Sequence, residues 1–270
     1  MRIIYLSILC ILLFTLPSCN YFKSEHPQAA LEEEGSTGIT DKSILSFAAS
    51  TDRNISYYKK QFSLIYMSGD LSMYAEKYSG HGNGILYKTY SDNGNISTTV
   101  KSYYLRNDSL ILVVERNKTL NDHGEVYKDV RAYLRNNIIF KMDSRTASSS
   151  AALVNLPYLL VQRTENKYPD ENYLEEIKGI SDAIQGKDKF EMVFDNITTY
   201  PEAHYIILKS KNRSNYKASL LVNAKDNFID SLLNYPALFK DEKLNFIWSI
   251  KDKEAVYVPV ADTSASGLNK

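Results

Sequence analysis

Turn-forming residues return at short intervals along the first half of this chain, and that spacing restricts the fold more than any other feature. Ser68-Gly69-Asp70, Gly80-His81-Gly82-Asn83-Gly84, Asp92-Asn93-Gly94-Asn95 and Asn107-Asp108 divide runs rich in β-branched and aromatic residues. The runs Gly84–Tyr90, Ile96–Leu105 and Ser109–Arg116 read as strands, and their Asn/Asp/Gly separators as hairpin turns, which predicts an antiparallel meander. Leu110-Ile111-Leu112-Val113-Val114 shows no polar alternation, as expected of a central strand covered on both faces. A helix beginning at Asp41, with Ile44, Leu45, Phe47 and Ala48, is a candidate cover. The helical pattern could run on, with a break near Thr51-Asp52, through Ile55, Tyr58 and Phe62.

The second half is mixed. The polar, serine-rich Ser144–Ser150 is the best internal boundary. Ala151–Val161 is apolar but interrupted by Pro157, and it is expected to pack between the two halves. Tyr168–Gly186 reads as a helix with Pro169 and Asp170 at its start. Tyr173, Ile177, Ile180 and Ile184 share one of its faces, and Gly186 can close it. Phe190–Asn196, His204–Lys209 and Tyr216–Val222 read as strands, Asp226–Asn234 as a short helix, and Leu244–Ile250 with Ala255–Val260 as a closing hairpin. The fold class is α+β, mostly antiparallel β. The β-β-β-α-β-β order of the last part is similar to that of an OB-fold.

A short repeat lies inside the meander. Tyr104-Leu105-Arg106-Asn107 returns as Tyr133-Leu134-Arg135-Asn136, each copy leading through an apolar stretch to an arginine, Arg116 or Arg145. Two similar hairpins with Asn-centred turns account for it. Tyr104, Arg106, Tyr133 and Arg135 are therefore the candidate ligand face. Half-buried sheets also need alternating polar positions, so the same residues fit the solvent side of neighbouring strands.

Catalytic motifs are absent from this reading. The histidines are His26, His81, His123 and His204, and Asp122-His123-Gly124-Glu125 is the only cluster with plausible metal ligands. No second cluster completes a zinc set, so no metal site is assigned. The Gly80–Gly84 run precedes a strand rather than a helix, which argues against a phosphate loop, and no cofactor is expected. No Gly-x-Ser-x-Gly elbow occurs. The formal net charge is +0, with 32 basic and 32 acidic residues, so electrostatics gives no case for nucleic acid. A hydrolase would need two or more of Asp122, His123, Glu125 and His81 to converge in a concave pocket.

The N-terminus carries the remaining signal. Met1-Arg2 precedes an apolar run from Ile3 to Leu16, a pattern of secretory targeting and too short to span a bilayer. It ends in Leu16-Pro17-Ser18-Cys19, which resembles the lipobox of bacterial lipoproteins. That resemblance implies cleavage before Cys19, a diacylglyceryl group on its thiol and an acylated new amine, hence a cell-envelope protein held to a membrane, with Asn20 favouring the outer one. Cys10 would be removed and Cys19 consumed, so no disulfide is expected. The expected organisation is a signal peptide at 1–18 and a lipidated polar tether at 19–40. A meander domain at 41–145 follows, then a connecting segment with helix at 146–186. A β-rich C-terminal domain at 187–262 and a tail at 263–270 complete it. The function expected is non-enzymatic binding of an envelope protein, peptide or glycan. The alternatives are an envelope hydrolase and a chaperone or inhibitor-type lipoprotein, the latter marked by a broad apolar patch.

Overall fold

The computed structural model describes residues 40–80, 83–162, 172–212 and 215–260. Cys19, the tether, His26, His81, Pro169, Asp170 and the tail lie outside the described residues. Met1–Ser43 and Ile44–Lys270 form two compact units. In the first, Thr40 and Ser43 exchange hydrogen bonds: each backbone N–H donates to the other's hydroxyl, at 2.9 and 3.2 Å. This reciprocal pairing makes Thr40, rather than Asp41, the cap of helix α1 (Asp41–Arg53), and leaves Asp41 in the first turn, where its charge suits the helix dipole.

Ile44–Lys270 is built on one mostly antiparallel sheet, in which only the β12–β14 pairing among the described residues is parallel. Its strands are β1 (Lys59–Phe62), β2 (Tyr66–Ser68), β3 (Leu71–Gly80), β4 (Asn83–Asn93), β5 (Ser97–Arg106), β6 (Ser109–Asn121), β7 (Gly124–Arg135), β8 (Ile138–Ala147), β9 (Leu159–Leu160), β10 (Met192–Thr199), β11 (His204–Ser210), β12 (Lys217–Val222), β13 (Ile247–Lys251) and β14 (Glu254–Val258). The spatial order is β10-β11-β12-β2-β3-β4-β5-β6-β7-β8-β9. Phe62 belongs to a strand, not to an extended first helix: a 3-10 turn at Ile55–Tyr57 ends the helical path. Between β1 and β2 the chain carries one residue more than β3 opposite, and Ser63 bridges the bulge by accepting the Ala75 N–H at 2.9 Å.

The C-terminal strands enter this same sheet. β12 pairs with β2 through Lys217 and Ala218, then with β14 through Leu221, so the β13–β14 hairpin wedges into a fork. The element order expected of an OB-fold is present, but the sheet stays open and no barrel closes. The segments 41–145 and 187–262 thus share one sheet across Ser144–Ser150. Ala151–Val161 does not pack between halves. It forms helix α2 (Ser150–Asn155) and the edge strand β9, with Leu159 67% and Leu160 64% exposed.

One face of the sheet is the core. Ala75, Tyr87, Tyr103, Val113, Ala132 and Met142 line it in the meander, and Phe194, Ile206, Leu208 and Leu220 in the C-terminal strands. Helix α3 (Tyr173–Gln185) covers it, burying Tyr173, Ile180 and Ala183 and ending on left-handed Gly186. Tyr103 donates to the Glu176 carboxylate, Lys101 lies 3.3 Å from the same group, and Tyr66 donates to the Ala183 carbonyl at 2.8 Å. The helix is thereby pinned at both ends. Helix α4 (Asn227–Asn234) completes the core with Ile229 and Leu232. Its cap, Asp226, accepts from Ile229 N–H, Tyr257 hydroxyl and Val260 N–H. Burial alone would raise that carboxyl, but the Tyr257 and backbone hydrogen bonds hold it below its usual value.

Candidate functional site

The other face of the sheet is only partly covered. Reading across the ladder, its rows are Tyr78–Leu86–Tyr104–Leu112–Tyr133, then Glu76–Lys88–Ser102–Val114–Arg131, then Tyr74–Tyr90–Val100–Arg116–Asp129. The first row lies under cover: helix α1 turns Ile44, Ala48 and Thr51 inward, and Asp52 accepts from the Tyr104 hydroxyl at 2.9 Å. At the far edge Tyr158 donates to Asp129 at 3.2 Å, and the guanidinium groups of Arg131 and Arg145 lie 3.5 and 4.4 Å from its ring centre. In the third row Asp129 is buried, whereas Tyr74, Tyr90 and Val100 stay half-buried and Arg116 exposed.

The predicted ligand face divides accordingly. Tyr104 is 4% and Tyr133 1% exposed, and Tyr133 spends its hydroxyl on Asp143 at 3.0 Å. Their rings are structural and are not offered to a ligand. Arg106 and Arg135 are exposed, two residues further on at hairpin ends, so the structure separates the tyrosines from the arginines. The hairpins themselves match expectation: Asn107-Asp108 and Asn136-Asn137 all have φ between 51° and 63°, the geometry of tight hairpin turns.

A small cleft, about 240 Å³, opens at the Tyr74–Tyr90 end of that row. Tyr74 and Tyr90, directly opposite on β3 and β4, stack with centroids 4.4 Å apart and an interplanar angle of 8° to form its floor. Ile65 from the bulge and Val100 line its walls, with Ser72, Asp92 and Thr98 as polar groups. Lys253, at the tip of the β13–β14 hairpin, reaches to 4.0 Å from Asp92. Both groups are exposed, so the pair is weak and the carboxylate remains available.

Behind the floor sits Glu76, a buried carboxylate. It accepts from Tyr78 at 2.8 Å and Tyr90 at 3.1 Å and pairs with Lys60 at 2.5 Å. The Tyr90 ring is therefore held by its hydroxyl. Burial, with the Glu76 charge second, pushes the Tyr74 hydroxyl up to about 12 and drives Tyr90 higher still. Both stay protonated donors at neutral pH. Among the described residues the Tyr74 hydroxyl makes no hydrogen bond.

A wider apolar depression, about 700 Å³, lies on the C-terminal strands between Met67, Tyr200, Tyr205 and Ile207. It has fewer converging polar groups, which are what fix a ligand's orientation. Asp122 and His123 stand at the β6–β7 tip, where Glu125 is tied to Lys118 and Tyr127 at 2.5 and 2.7 Å. Gly80 and Asn83, which flank His81, lie at the opposite ends of the strands. Among the described residues no group of three His, Cys, Asp or Glu could hold a metal, and no helix is long and apolar enough to cross a membrane. Comparison with known proteins gave no matching family model, no matching curated protein and no matching solved structure.

Proposed function

We propose that this chain is a lipid-anchored envelope protein that binds a glycan, one sugar unit at a time, in the Tyr74–Tyr90 cleft. The stacked tyrosine floor carries this reading. An aromatic face complements the C–H face of a sugar ring, while Asp92, Ser72, Thr98 and the Tyr74 hydroxyl offer acceptors and donors to its hydroxyls. A volume near 240 Å³ suits one ring rather than a drug-sized molecule. The Glu76 hydrogen bond fixes Tyr90 before a ligand arrives, which limits the ordering cost of binding.

The anchor reading rests on Leu16-Pro17-Ser18-Cys19 and the polar stretch after it. It puts the protein in the cell envelope, on the outer membrane, facing the periplasm or the surface, with the membrane as its first partner. On this reading about twenty residues separate the anchor from the sheet, and a coil of that length would reach roughly 25 Å, enough to let the sheet face sample a nearby polymer. The test is a glycan array probed with the mature lipidated protein in non-ionic detergent. Binding to at least one saccharide is expected, falling by about fivefold or more in Y74A and Y90A, since an aromatic contact contributes on the order of 1 kcal/mol. Binding that survives both substitutions contradicts the assignment.

A further inference from the structure

The cleft presents a carboxylate with little to neutralise it. Asp92 follows Tyr90 by two residues on β4, so its side chain leaves the same face of the sheet about 7 Å further on. Across the ladder it stands between Ser72 and Thr98, two neutral hydroxyls. Ser72 donates to the Asp92 backbone carbonyl at 3.5 Å and not to the carboxylate. Among the described residues that carboxylate accepts no hydrogen bond, and Lys253 at 4.0 Å is its one ionic partner. The lysine side chain is 86% exposed, so it can swing away at little cost. Other cations nearby serve other groups. Lys118, opposite Thr98 on β6, lies 2.5 Å from Glu125, and Arg116, opposite Val100, lies beside the Tyr104–Asp52 pair. Lys60 and Lys88 sit over the Tyr78 ring, where Glu76 is.

Two further features favour positive charge in the cleft. Glu76 reaches the floor from behind: burial first and its charge second hold the Tyr74 hydroxyl above its usual range. The faces of tyrosine rings are electron-rich and attract cations. The fold itself already brings one there. In the β13–β14 turn Asp252 and Lys253 have φ of 51° and 64°, and the turn carries the Lys253 ammonium to the wall of the cleft beside Asp92.

We infer, on the reading of this cleft as a glycan site, that its ligand is an amino sugar bearing a free ammonium. The ring meets Tyr74 and Tyr90, and the ammonium takes the place beside Asp92 that the Lys253 ammonium approaches in this structure. Ser72 and Thr98 flank that place, so the hydroxyls next to the amine on a sugar ring find partners there. A bare alkylamine brings no such hydroxyls. An N-acetylated sugar keeps the ring and its hydroxyls but loses the charge, which makes it the matched control.

Calorimetric titration of the protein in non-ionic detergent compares the glucosamine trisaccharide with its fully N-acetylated form, at a mildly acidic pH where the free amines are protonated. At low salt the amine form is expected to bind about tenfold tighter, because a charge-assisted hydrogen bond replaces a neutral one. The gap should narrow as salt rises. D92N keeps the shape and an acceptor oxygen but not the charge, and should shrink the ratio of the two affinities to about twofold or less. K253A should tighten the amine form by about twofold, through loss of the competing ammonium. A tenfold ratio that persists in D92N, or weaker binding of the amine form in K253A, overturns the inference. Equal affinities, or tighter binding of the acetylated form, overturn it while leaving the glycan site intact. Binding of neither, while the array returns another saccharide, does the same. No saccharide bound at all removes the glycan reading itself. Trilysine bound as tightly as the amine trisaccharide, with the same dependence on Asp92, reassigns the cleft to a peptide amine and overturns both.

Discussion

Asp129→Ala is expected to destabilise the folded protein by about 3–5 kcal/mol, because it leaves a mostly buried guanidinium without its counter-charge. Asp129 accepts from Arg145 Nε at 2.9 Å and Nη2 at 2.7 Å, with side-chain exposures of 6% and 17% for the acid and the arginine. Arg145 also donates from Nη1 to the carbonyls of Val154 and Leu156. One ion pair therefore staples helix α2 and β9 to the β7–β8 hairpin. Urea unfolding should show a lower midpoint with unchanged slope, and hydrogen exchange should show early loss of protection across Ser150–Leu160. Replacing both partners with apolar residues of similar size should recover much of the loss, since the cost lies in the orphaned charge rather than in the missing attraction. A loss below about 0.5 kcal/mol in the single variant would place the pair among ordinary surface contacts.

The second large effect concerns the anchor. If the proposed anchor is right, Cys19→Ser is expected to abolish acylation, because the diacylglyceryl group would be carried on the Cys19 sulfur, and to move the protein from the membrane fraction to the soluble one. Each buried methylene contributes about 0.8 kcal/mol, so two or three acyl chains hold a protein that none would hold. Intact-mass measurement and detergent phase partitioning read both consequences. A Cys19→Ser protein that still pellets with membranes would mean that another surface carries the attachment.

Much of the fold was legible in local sequence, because hairpins are local structures. Asn107-Asp108 and Asn136-Asn137 marked tight turns, and Gly186 marked the end of α3. The repeat is larger than the Tyr-Leu-Arg-Asn match suggests. β3–β4, β5–β6 and β7–β8 all bulge at the same place, after Tyr78, Tyr104 and Tyr133, and each tyrosine hydroxyl meets a carboxylate: Glu76, Asp52 and Asp143. The first copy was hidden because Gly84 stands where Leu110 and Ile139 stand in the others. A Cβ there would lie 2.5 Å from the Tyr87 hydroxyl, so the larger ring at Tyr87, in place of Val113 or Met142, requires the glycine.

What sequence could not reveal was long-range. Whether Tyr104 faces solvent or core depends on Asp52, 52 residues away, and on the helix that brings it. The OB-like order failed as a guide to closure because β12 leaves β14 for β2, a pairing of strands far apart in the chain. The cleft draws on β3, β4, β5, the Ile65 bulge and Lys253, and Tyr74 and Tyr90 looked like any other tyrosines in a chain with 21 of them.

Hydrogen exchange of the protein in detergent, with and without the saccharide that binds most tightly on the array, tests the proposed binding site most directly. The account predicts slowed exchange in peptides covering Leu71–Asn93 and Ser97–Arg106, with β10, β11 and β12 unchanged. Protection confined to Tyr200–Ser219, or spread evenly over the sheet, would contradict it.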